Sequence, residues 1–251
     1  MAVQHCQTPW LLTAMREKFI LLFATRLTKL NRKQKKGDPM KITNSLGMLL
    51  IVVIFGGCAS LQLGSEFQAG RTALLTGKTE VALSYFASVA AKDPSYSYGT
   101  AYRQGVLGYL GRTEYATGQY SQAQKTLERA VNDTRDDASA RLYLGLALAR
   151  SGDRQRGLGE IENGMKGIHE FLEWVTQAHR FSFGRFWDPA RNIRSAIESD
   201  LAMIRTKEVD WAKLIANGEW LGKEIDEEND RARNDETRER SRENDGGDGK
   251  P

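Results

Sequence analysis

At 251 residues the chain has room for one or two domains, and 40% hydrophobic with 27% charged residues is the composition of a globular protein with polar extras. A pI near 9.0 invites a nucleic-acid reading, but sorting charge by segment removes it. Residues 1–57 hold nine Lys or Arg and two acids, which leaves 27 basic against 30 acidic side chains from Cys58 onward, a net of −3.

Residues 1–39 are an apolar patch interrupted by charges, then the run NRKQKKGDP. Met40-Lys41, an uncharged stretch, the apolar core LGMLLIVVIF and Gly56-Gly57-Cys58 follow. A basic start, an apolar core and small residues before a cysteine read as a secretory signal. The same pattern resembles a bacterial lipoprotein signal over 40–57, which implies that Cys58 becomes the lipidated first residue of the mature chain. Because a complete signal begins at Met40, residues 1–39 are expected to be a mis-called extension. The competing readings are an uncleaved transmembrane anchor, since no charge occurs between Lys41 and Glu66, and a soluble core helix. Both membrane readings place the body outside the cytoplasm, because the positive residues precede the apolar core. Cys58 is then the one cysteine of the mature chain, Cys6 being the other in the sequence. That leaves no internal disulfide possible there.

From Ser65 to Gly167 the sequence repeats itself. Leu110-Gly111 falls on Leu144-Gly145, Gly118 on Gly152, Ala123 on Gly157, Leu127 on Ile161 and Ala130 on Gly164, each at a spacing of 34. An upstream copy puts Gly70 in the Gly111 slot, Gly77 in the turn, Ala82 and Phe86 at the packing positions, and Pro94 at the close. Its offset of 41 leaves seven surplus residues, expected in the Ser95–Gly105 link. Each copy reads as a helix, a glycine turn and a second helix, and such a unit needs neighbours to bury its apolar face. The segment resembles the tetratricopeptide-repeat family, with Gly157 and Gly164 standing where that family usually has alanines.

After Gly167 helical patterning continues. Ile168, Phe171, Leu172, Trp174 and Val175 extend the last repeat helix, and FSFGRFWDP breaks it. Asp188-Pro189 is expected to restart a helix with Pro189 in its first turn, lined by Ile193, Ile197, Leu201 and Ile204. Asp210 is expected to cap another, carrying Trp211, Leu214, Ile215, Leu221 and Ile225. These two helices, over 168–223 with the preceding extension, are expected to cap the end of the stack. From Glu224 the composition turns to acids and arginines with almost no apolar residue. Frayed helix followed by disorder is expected over 224–251.

No phosphate-binding glycine loop, Gly-x-Ser-x-Gly or cysteine pair occurs in the sequence, and no catalytic residue, cofactor or metal is assigned. His169 and Glu173 share a helix face, with His179 beyond, but two ligands at i and i+4 arise often by chance. The aromatics Phe171, Trp174, Phe181, Phe183, Phe186 and Trp187 have two readings, core at the joint between repeats and cap, or an exposed contact patch.

The expected fold is all-α, a short tetratricopeptide-like superhelix of about three repeats with C-terminal capping helices and a disordered tail. The resemblance implies an interaction module whose concave face takes a partner segment, and implies groove positions one and four or five past each Leu-Gly glycine. Those slots hold Arg71 with Leu74, Arg112 with Tyr115, and Leu146 with Arg150. One arginine per repeat suits an acidic partner segment, because the guanidinium fork matches a carboxylate. The expected role is a protein scaffold or assembly factor, lipid-anchored and facing the periplasm. An accessory glycan- or cell-wall-binding protein is the alternative.

Overall fold

Three turns of one design set the architecture. Gly77, Gly118 and Gly152 have φ of +76°, +77° and +102°, a backbone region open to glycine without the clash a Cβ brings. In each turn the next residue donates its N–H to the carbonyl five positions back: Lys78 to Ala73 at 2.8 Å, Gln119 to Glu114 at 2.8 Å, Asp153 to Leu148 at 3.0 Å. Helices so ended reverse sharply and place their successors alongside.

A computed structural model describes residues 62–99, 101–134, 136–206 and 208–245. The leader, Cys58 and residues 246–251 lie outside them. The first repeat pairs α1 (62–75) with α2 (Thr79–Lys92). A short antiparallel pair follows, β1 (Ser97–Tyr98) and β2 (Gln104–Gly105), in which Ser97 faces Gly105 and Tyr98 faces Gln104. The second repeat is α3 (Val106–Ala116) and α4 (Tyr120–Asp133), the third α5 (Ala138–Ser151) and α6 (Arg154–Ala178). A 3-10 turn (Phe183–Phe186) leads to α7 (Asn192–Arg205) and α8 (Trp211–Asp245). Apart from the two-residue strands the fold is all-α and tetratricopeptide-like. Among the described residues no helix is long and apolar enough to cross a membrane.

The packing follows the repeat. In each copy the glycine of the first helix lies under a large residue of the second: a Cβ on Gly70 would meet Phe86 at 2.9 Å, on Gly111 Leu127 at 2.4 Å, and on Gly145 the Ile161 side chain at 2.7 Å. In the third copy the approach goes further. A Cβ on Gly164 would meet the backbone nitrogen of Leu142 at 2.5 Å, and one on Gly157 the carbonyl oxygen of Gly145 at 2.8 Å. The two glycines that depart from the family's alanines therefore let α5 and α6 touch backbone to backbone. That closeness, with neighbours on its other sides, buries α5 almost throughout, from Leu142 to Ala149. The first repeat joins the second through rings: Phe67 lies 5.4 Å from Phe86 and 5.0 Å from Tyr109, and Phe86 stacks on Tyr109 at 5.2 Å.

The cap region departs from expectation in two places. Asp188 does accept from the first free amides of α7, those of Ile193 and Arg194, both at 3.1 Å. It reaches them across an intervening turn, however, and α7 starts at Asn192 instead of Pro189. Asp210 caps α8 as expected, through the Lys213 N–H at 3.1 Å. The larger difference is α8 itself, which runs unbroken to Asp245 where fraying and disorder are expected. Side-chain pairs along its surface, Lys223 with Glu227 and Arg231 with Glu224 and Glu228, support the helix. Its inner face is buried at Leu221, Ile225, Asp226, Asn229 and Ala232.

The aromatic cluster divides. Trp187 is buried and Phe171, Phe183 and Phe186 are half-buried against the core, whereas Trp174 and Phe181 are 53% and 83% exposed.

Two substitutions in α6 test the close approach. Gly164→Ala should cost about 1–3 kcal/mol, because the added methyl meets backbone that has no room to yield. Gly159→Ala, where a Cβ meets nothing within 4 Å, should raise stability by about 0.5–1 kcal/mol. Urea denaturation of both variants checks the signs.

Candidate functional site

The repeat places one arginine per copy on the face that α8 crosses. Arg71 and Arg112 each follow the packing glycine directly, and Arg150 lies in the last turn of α5. On α8, Glu219, Asp226 and Asp230 stand at separations of seven and four, which is one face of a helix. Two glycines on that face allow contact. A Cβ on Gly218 would meet Leu146 at 2.9 Å, and one on Gly222 the Tyr143 hydroxyl at 2.3 Å.

Asp226 is the centre, fully buried. Its Oδ2 accepts from Arg112 Nη1 at 2.6 Å. Its Oδ1 accepts from the Tyr109 hydroxyl at 2.5 Å and from Gln104 Nε2 at 3.0 Å, and lies 3.7 Å from Arg71 Nη2. Arg71 in turn donates from Nε to the Tyr109 hydroxyl at 3.1 Å and grips Asp230 with both terminal nitrogens, at 3.1 and 3.2 Å. The Tyr98 hydroxyl donates to the same Asp230 at 3.1 Å, and its ring lies 4.2 Å under the Arg71 guanidinium. At the other end Glu219 accepts from the Tyr115 hydroxyl at 2.5 Å and from Arg150 Nη2 at 3.1 Å.

The electrostatics fit this pairing. Burial pushes the Tyr109 phenol well above its ordinary value, and the Asp226 carboxylate adds to the rise, so Tyr109 stays a donor. Burial alone would lower the Arg71 and Arg112 guanidiniums. The carboxylates beside them, Asp226 for both and Asp230 for Arg71, oppose it, and both guanidiniums are held raised, hence charged. An arginine removed from water in this way needs a carboxylate beside it.

Five of the six expected groove residues, Arg71, Arg112, Tyr115, Leu146 and Arg150, therefore meet at one surface, while Leu74 is half-buried against the core. The expectation of a face left open for a partner is corrected: the chain's own α8 occupies it. The acidic segment that the arginines suit is intramolecular. Sequence reasoning missed Glu219, Asp226 and Asp230, although their spacing, read as one helix face, carried the signal. It also missed Tyr98 and Gln104, which the surplus link contributes through β1 and β2.

Residues 110–165 match the tetratricopeptide-repeat family model. The central segment is of tetratricopeptide type. The match spans the second and third copies, and the first copy rests on its shared turn and glycine contact. A search of curated proteins finds no match. Repeats of this type generally serve protein–protein interaction, and a groove occupied by a helix is such an interaction made within one chain.

His169 and Glu173 do not converge on a common point. His169 Nε2 lies 3.1 Å from Glu198, while Glu173 takes Arg191 and Arg194 at 3.2 and 3.0 Å. Among the described residues no group of three His, Cys, Asp or Glu is placed to hold a metal.

The site predicts an uneven charge map. Asp226→Ala leaves two buried guanidiniums without their shared carboxylate and should cost about 3–5 kcal/mol. Glu219→Gln loosens a pair whose side chains are about 40% exposed and should cost under about 1 kcal/mol. Urea midpoints, with hydrogen exchange of the α8 amides, measure both. Equal costs would contradict the assignment of Asp226 as centre.

Proposed function

We propose that this chain is a lipid-anchored protein of the bacterial envelope whose repeat body is a docking scaffold, serving assembly on the periplasmic side. The observation that carries the scaffold reading is the arginine-lined face that spans three repeats and holds a helix. Support for the anchor comes from sequence alone: a basic start, the apolar core at Leu46–Phe55 and Gly56-Gly57 before Cys58. A single acyl chain binds membranes only marginally, so stable anchoring requires more than one at Cys58.

Cys58→Ser tests the anchor. It should abolish incorporation of labelled fatty acid and move the protein out of the membrane fraction. Persistent labelling counts against Cys58. The scaffold itself is tested by co-purification from detergent-solubilised membranes with mass spectrometry, where recovery of the chain alone at every salt concentration removes the reading.

A second reading has its own observation. Beside the half-exposed Trp174 lies a cleft of about 820 Å³, lined among others by Tyr102, Phe171, Arg103, Arg141, Asn163 and Glu170. Tyr102, Phe171 and Trp174 form a ladder of rings, at 4.8 and 6.2 Å. Flat rings beside balanced polar groups suit a neutral polysaccharide. Trp174→Ala should then weaken binding to insoluble cell-wall glycan without lowering the melting temperature. Unchanged retention in a pull-down with wall material dismisses the glycan.

A further inference from the structure

We infer that α8 is a resident ligand, and that the arginine face takes in its place a partner helix with carboxylates at i, i+7 and i+11 and small residues at i−1 and i+3. The inference rests on the scaffold reading and specifies its partner. Its template is α8, where those positions are Glu219, Asp226, Asp230, Gly218 and Gly222.

Three observations carry it. The first is the cost of an empty groove. Arg71 and Arg112 are buried beneath α8, and moving α8 away without a substitute gives up the Asp226 carboxylate that both share. Exchange for another acidic helix keeps each guanidinium paired throughout, so the groove selects an occupant of the same chemistry. Six acids stand against the one Lys223 between Glu219 and Asp230, and attraction of that sign speeds encounter with the arginines.

Second, the docked face of α8 carries buried polar groups among its apolar ones. The 35-residue helix buries Leu214, Leu221, Ile225 and Ala232 as its apolar residues, while Asp226, Glu228 and Asn229 are buried polar groups among them. Among the described residues Asn229 finds no hydrogen-bond partner through either atom of its amide. A buried amide without a partner weakens the docked state. A partner helix with an apolar residue at i+10 avoids that loss and so competes with the resident one.

Third, the connection to α8 lies partly at the surface. Glu208 and Asp210, in the segment that joins α7 to α8, are exposed. The repeat helices, by contrast, pack glycine on large residue independently of α8. A tethered ligand acts at high effective concentration, so the intact chain binds a free helix more weakly than its groove would alone.

The probe is a fluorescein-labelled synthetic peptide of residues 211–233, titrated by anisotropy against the full chain in detergent. Asp226→Asn in the chain weakens the resident helix while the peptide still carries the carboxylate. This variant should bind at least about tenfold more tightly than the wild-type chain, the scale of losing a charge-assisted contact. Where Asp226→Asn disturbs folding by circular dichroism, the pair Glu219→Gln with Asp230→Asn leaves the buried carboxylate in place and should give a gain of a few fold. A peptide with Asn in place of Asp226 should lose binding to either chain. Arg112→Gln in the chain should abolish the gain, and rising salt should weaken association.

Equal affinity of wild-type and folded variant chains, or none for either, overturns the inference. So does formation of a dimer by Asp226→Asn in the absence of peptide, which would assign the groove to a second copy's α8. These outcomes are separable from failure of the scaffold reading. A peptide that behaves as expected, with no protein recovered from membranes, leaves the groove chemistry standing and removes the scaffold role.

Discussion

Two guanidiniums share one buried carboxylate, and the path of α8 along the repeats follows from that. Arg71 and Arg112 come from different repeats, yet both turn to Asp226, with Tyr109 bridging them by donating to the carboxylate and accepting from Arg71. Buried charge is tolerated where it is paired and its remaining donors are satisfied. α8 therefore has to run back along the repeat face instead of closing the end of the stack. Gly218 and Gly222 make the passage possible at Leu146 and Tyr143. They carry the usual helix cost of glycine in exchange for that closeness.

The repeat body was legible because its information is local and periodic. The 34-residue spacing fixes which glycine meets which large residue, and Gly70 with Phe86, Gly111 with Leu127 and Gly145 with Ile161 follow the expected pairing. That the arginines share one face was legible for the same reason, since a position counted from a packing glycine keeps its direction on a straight helix. What covers them was not. Segment 224–245 lacks the apolar residues that order a chain by burial, and its composition alone points to disorder. Its order comes from residues 114 to 159 positions away, as in Arg112 with Asp226 and Arg71 with Asp230. No window on the tail contains those arginines.

The seven-residue surplus before the second repeat has a structural use that its composition conceals. Read as sequence it is a longer link. In the fold it becomes the β1–β2 pair, which brings Tyr98 over Arg71 and Gln104 against Asp226. Both residues complete the polar shell around charges that the repeat positions by its own period. A link of the length found between the second and third copies, residues 134–137, has no room for such a pair.

Net charge misled for a related reason. Counted from Cys58 onward the chain is slightly negative, which argues against nucleic acid and gives no hint of a positive face. Separated by element, α8 holds eleven acids and seven bases, whereas residues 58–210 hold eighteen acids and nineteen bases. The near-neutral body presents its arginines on one side and the helix presents its acids to them, so the sum cancels the two features that define the site. Charge that cancels across an interface inside one chain is invisible to any total. It emerges when acids and bases are assigned to faces, by period 34 for the repeats and by the seven-and-four spacing for α8. On that basis the tail is the most informative part of the sequence for the groove, because its acids state the chemistry that the arginines accept.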